Sequence, residues 1–145
     1  MALVWAASTV VLLTACQQGS GSTQVPGDAG DNAAFSAIGP GETIEFTGTE
    51  PFWGGEVEGD MLRYSTPENI DGQRIEVTRF AGRGGLSLSG SLNGARFDMT
   101  ITEAECGDGM SDRTYPFVAT LRLGEEIRNG CAWTQARPFD GPRNP

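Results

Sequence analysis

The chain predicts an all-β domain: a small antiparallel barrel of about eight strands, with a β-sandwich as the alternative, held by one disulfide. Three observations carry this. Short segments alternate apolar and polar residues with period two. The 21 glycines fall between those segments as turns, not as a low-complexity block. No stretch beyond the N-terminal apolar run sustains a helical period.

The elements follow in order. Ile44 and Phe46 alternate with Glu45 and Thr47, predicting a strand over residues 44–49. Residues 53–57 and 61–66 flank Gly59-Asp60, a tight-turn pair. Pairing Glu58 with Met61 sets Val57 opposite Leu62, Gly55 opposite Tyr64 and Trp53 opposite Thr66, and gathers Trp53, Val57, Leu62 and Tyr64 on one face. Residues 66–73, with Pro67, Asn69 and Asp71-Gly72, read as a loop. In 74–80, Ile75 and Val77 oppose Glu76 and Thr78, and 81–85 form a glycine-rich turn. The strongest hairpin follows: Leu86, Leu88 and Leu92, then Asn93-Gly94, then Phe97, Met99 and Ile101. A two-residue turn pairs Leu92 with Ala95, Leu88 with Met99 and Leu86 with Ile101, and a slip by one residue would scatter the apolar set. Tyr115, Phe117, Ala119, Leu121 and Leu123 share a face of the next strand, and 127–133 returns after a turn at 124–126. Pro116 sits at a strand start, where a missing donor is tolerated.

The N-terminal region is of another kind. Residues 2–15 hold no charge over 14 positions, short of the ~20 that a membrane-spanning helix needs. An apolar run closing on Leu13-Thr14-Ala15-Cys16 has the anatomy of a lipoprotein signal, although no Lys or Arg precedes it. Residues 1–15 are expected to be cleaved and Cys16 to carry the lipid, with a polar flexible tether over 16–34, the domain over 35–135 and a tail over 136–145. Each buried methylene contributes ~0.8 kcal/mol, so several acyl chains hold a small domain to a bilayer. Gln17, in place of an Asp, fits an outer-membrane destination facing the periplasm. In that oxidising compartment Cys106 and Cys131 are expected to pair.

Composition narrows the function. Net charge is −9, with 19 acidic side chains, 10 basic ones that are all Arg, and no His. Such a domain repels phosphate backbones, so nucleic acid is not an expected partner. Without His or Lys, neither a Ser-His-Asp triad nor a Ser-Lys dyad can be assembled. Two thiols without His do not make a zinc site, and residues 106–115 lack the acidic ligands of a calcium loop. No cofactor, metal or catalytic residue is expected. A carboxylate-dependent glycan hydrolase is the residual enzymatic option, with Glu50, Glu68, Asp108 and Asp112 as its loop carboxylates.

Two clusters suit binding. Asp108, Ser111, Asp112, Arg113 and Tyr115 concentrate in one segment beside a cysteine. They read either as turn-forming and ion-paired side chains or as a recognition loop. Glu50-Pro51-Phe52-Trp53 is the second, with Trp53 either a core ring or, with Tyr64, the lining of a barrel mouth. Arg63, Arg74, Arg79 and Arg83 form either a local basic patch or a mixed solvated face.

The motifs Gly48-Thr49-Glu50-Pro51-Phe52-Trp53, Tyr64-Ser65-Thr66-Pro67-Glu68, the run from Cys106 through Asp108, Ser111, Asp112 and Arg113 to Tyr115-Pro116, and Gly130-Cys131-Ala132 resemble a family of small bacterial envelope lipoproteins. The resemblance spans residues 35–133 and brings no established activity. Some members are joined to domains of the heat-shock-lipoprotein type or the c-type lysozyme inhibitor type, which implies a role in the envelope. The expected function is a membrane-anchored, non-enzymatic binding module for a protein or cell-wall component, in its sharpest form an inhibitor of a lysozyme-type hydrolase. A structural or stress-related envelope protein without a small ligand is the alternative.

Overall fold

The computed structural model describes residues 33–142. The predicted signal and lipid-bearing Cys16 lie outside the described residues.

Eight strands run β1 (Ile44–Thr49), β2 (Phe52–Glu58), β3 (Met61–Thr66), β4 (Asn69–Ala81), β5 (Leu86–Leu92), β6 (Ala95–Gly107), β7 (Thr114–Leu123) and β8 (Glu126–Thr134). Each pairs antiparallel with the next, and β8 pairs with β1 to close a barrel. Closure leaves no unpaired sheet edge, which is the alternative to folding eight half-apolar strands into a sandwich.

The alternation sets the register. Leu86 faces Ile101, Leu88 faces Met99 and Leu92 faces Ala95, as the Asn93-Gly94 turn requires. Both turn residues have positive φ, 53° and 82°, the signature of a type I′ hairpin. Glu58–Met61 and Val57–Leu62 also pair as expected. The inward residues form one continuous core of Ile44, Phe46, Trp53, Val57, Leu62, Tyr64, Ile75, Val77, Leu86, Leu88, Phe97, Met99, Ile101, Phe117, Ala119, Leu121 and Ala132.

Two expectations are corrected. Residues 66–73 are not a loop: Thr66 pairs with Asn69 around a two-residue Pro67-Glu68 turn, and β4 starts at Asn69. The Asp71-Gly72 pair makes an irregularity inside the ladder instead. Gly72 has φ 75°, its N–H is accepted by the Asn69 side chain, and the register shifts between Tyr64 and Thr66. Tyr115 does not share the barrel core with Phe117, Ala119 and Leu121. The register of β6 against β7 shifts between Glu103 and Cys106, and Tyr115 packs instead against Trp133 and Phe139, with ring centroids 5.2 and 5.5 Å away.

The two barrel ends differ. Residues 33–43 fold under the end where β1 begins. Ile38 enters the core, Phe35 meets Phe117 edge-on at 6.4 Å, and the Phe35 N–H donates to the Gly82 carbonyl. Arg79 donates to the Ile38 and Gly39 carbonyls, fixing this plug from β4. The far end is formed by the turns at 50–51, 67–68, 93–94 and 124–125. No plug segment among the described residues covers it.

Candidate functional site

The segment between β6 and β7 is braced on every side. The Cys106–Cys131 disulfide joins β6 to β8, skipping the strand between them. Cys131 alternates with inward Ala132 along β8, so the bridge lies on the outer wall. It draws the loop sideways until the Asp108 carbonyl accepts from the Thr49 hydroxyl of β1 at 3.0 Å. Thr49 immediately precedes Glu50. The two clusters that the sequence singles out thus become neighbours, though 59 residues separate the hydrogen-bonded pair.

Asp108 organises the loop. Its Oδ1 accepts the backbone N–H groups of Met110 and Ser111 at 2.9 and 2.8 Å. Its Oδ2 accepts the Ser111 hydroxyl at 2.7 Å and the Tyr115 hydroxyl at 3.1 Å. Partial burial works against the charged form, but these four donors outweigh it and hold the carboxyl down to about 2. The Ser111 Oγ accepts the Arg113 N–H in turn. The Tyr115 hydroxyl is pushed above its ordinary value by burial, and the hydrogen bond to Asp108 adds to the effect.

The C-terminal segment braces the loop from the other side. Thr114 and Asp140 exchange backbone hydrogen bonds at 2.9 and 2.8 Å. Arg113 lies 4.7 Å over the Phe139 ring and donates to the Pro142 carbonyl. Tyr115, Trp133 and Phe139 form a satellite aromatic cluster apart from the barrel core. Residues 137–142 are therefore part of the folded unit. Within this frame Met110 stays 68% exposed, and Asp112 and Gly109 are also exposed. Glu50 is exposed on the adjacent turn, and Phe52 beside it is 51% exposed.

Trp53 and Tyr64 belong to the interior, at 3% and 5% exposure. They sit in a chain of rings, Phe46–Trp53–Tyr64–Phe97, with successive centroids 5.6, 6.2 and 5.8 Å apart. Glycines make the room. A Cβ on Gly48 would lie 2.0 Å from the Trp53 Nε1, and one on Gly130 would lie 2.9 Å from its ring. The space between Trp53 and Tyr64 is thus taken by their own stack. Tyr64 also lines a depression at the far end of the barrel, where its hydroxyl accepts from Arg128 at 2.5 Å.

Arg128 is the residue that sequence reasoning passes over. The signal was present, because Arg128 shares inward register with Gly130 and Ala132 on β8. Of the four arginines considered for a basic patch, Arg63 and Arg74 are cross-strand partners on β3 and β4. Arg63 pairs with Glu56 at 3.0 Å and Arg79 is committed to the plug. Among the described residues, no group of three His, Cys, Asp or Glu is placed to hold a metal.

Comparison with protein-family models, with curated proteins and with solved structures returned no match.

Proposed function

We propose that this protein is a lipid-anchored envelope protein that works as a non-enzymatic binding module, and that a cationic hydrolase of the lysozyme type is the partner it fits best. The observation that supports this most is the bracing of residues 108–113. A disulfide, four hydrogen bonds to Asp108, a bridge to Asp140 and an aromatic cluster behind it fix a loop whose tip remains exposed. Holding an interface loop in one conformation before contact removes the ordering cost that weakens most associations. Met110 in the loop is an apolar anchor, and Phe52 at the start of β2 is a second. Acidic Glu50 and Asp112 surround them on a chain of net charge −9, which steers a cationic partner and repels an anionic one.

The carboxylates fit this reading better than a glycosidase. An acid catalyst needs a raised carboxyl, whereas Asp108 is held down and all four of its donors are structural. Lipid attachment at Cys16 would place the loop in the envelope, where such hydrolases act.

Titration of a c-type lysozyme with the purified protein tests the proposal. Activity should fall to a stoichiometric end point, and Met110→Asp should weaken inhibition by about tenfold or more while the fold is retained. Full lysozyme activity at micromolar excess of inhibitor would remove this partner.

A further inference from the structure

The far mouth of the barrel offers a second candidate site, which shares Phe52 with the loop surface. Arg128 projects into it from β8, its side chain only 14% exposed. Its Nε and Nη2 donate to the two Glu126 oxygens at 3.0 and 2.9 Å, and Nη1 donates to the Tyr64 hydroxyl. Those are three of the roughly five N–H groups a guanidinium owns. The Tyr64 hydroxyl accepts that bond, so its own proton has no acceptor among the described residues. Burial pushes the hydroxyl above its ordinary value, which keeps the proton in place. Unspent donors therefore converge where the core ends.

Two depressions meet at this point, with Arg128 and Thr66 as a shared wall. One, of about 230 Å³, is lined by Tyr64, Gln73 and Asn93 with Leu92 and Leu123. The other, of about 380 Å³, has apolar walls from Pro51, Phe52 and Pro67 and one carboxylate, Glu68. Glu68 is held below its usual range by its own backbone N–H and the Thr66 hydroxyl, with the Arg128 charge adding to them. A cation with spare donors, a carboxylate in the same depression and apolar surface beside them are complementary to a small zwitterion.

We propose that this mouth binds an α-amino acid or short peptide whose carboxylate meets Arg128 and Tyr64, whose ammonium meets Glu68, and whose aliphatic side chain lies against Phe52. The ligand is of another class than the lysozyme-type partner; the two surfaces meet at Phe52, but Arg128, Tyr64 and Glu68 belong to this one alone, so either reading can fail without the other.

The test uses the full chain, 15N-labelled, in detergent, with L-leucyl-L-alanine as probe. Its N-acetylated and C-amidated forms are the other two arms. The dipeptide should shift the Arg128 Nε–H resonance and the amides of Thr66 and Phe52 saturably. The amide form should bind at least about tenfold more weakly, since it forfeits the charge-assisted bonds to Arg128. The acetylated form should lose less, because Glu68 is solvent-exposed. Glu68→Gln should erase the difference between the free and acetylated probes while leaving that between the free and amidated probes. No saturable shift up to about 10 mM, a range that reaches even weak fragment-scale affinity, would overturn the proposal. So would equal affinity for all three probes on the unmodified chain, a comparison that needs no variant to fold.

Discussion

Single side chains carry most of the consequences at the site. The Asp108 carboxyl lies below its ordinary value in the folded chain, so its charged form stabilises the loop. That contribution is complete above the unfolded carboxyl's pKa of ~4 and is lost as pH falls through the folded value of about 2. Amide hydrogen exchange at Met110 and Ser111, corrected for intrinsic rates, should therefore accelerate between those limits. Asp108→Asn should show the faster exchange already at neutral pH. Gly48→Ala is the sharpest core test: the new Cβ would meet the Trp53 indole and the Asn129 carbonyl at 2.0 and 2.8 Å. Chemical denaturation should show a loss of about 3 kcal/mol, the upper range of overpacking. At this scale the cysteine pair was readable, because only two cysteines fall in the strand-forming region and they have one partner choice. The hydrogen bond between Thr49 and Asp108 was not, because sequence separation hides which loops lean on which strands.

Strands and turns were readable where local chemistry and tertiary pairing agree. Asn93-Gly94 demands two positive φ values and Leu86–Ile101 supplies the pattern, so turn and register point to one hairpin. Asp71-Gly72 misleads for the same reason: it has turn chemistry, but the ladder of β3 and β4 absorbs it as an irregularity. Tyr115 keeps the parity of Phe117, yet the shift in β6 after Glu103 sends it to the outer aromatic cluster. The disulfide acts at this scale too. It closes a loop of 25 residues, worth roughly 3 kcal/mol in the chain-entropy model. Replacing both Cys106 and Cys131 by Ser should lower the unfolding free energy from chemical denaturation by about that amount. It should also release residues 108–113 first, seen as faster exchange in that segment than in β2 and β3.

For the whole molecule, closure is what alternation alone leaves open, since a sandwich satisfies the same pattern. The pairing of β1 with β8 decides it. With β1 beside β8, Thr49 comes within reach of a loop anchored at Cys131, and an acidic, ring-bearing face is assembled from opposite ends of the sequence. Residues 33–43 fold under one end and, among the described residues, no segment covers the other, so the two candidate sites occupy the outer wall and the far mouth. The role proposed for the braced loop as a recognition surface is decided by hydrogen exchange of the full chain with and without a saturating cationic c-type lysozyme. Added protection is expected at residues 49–53 and 108–114 alone. Unchanged exchange in both segments, or protection only on the opposite wall over β4 and β5, would rule that role out.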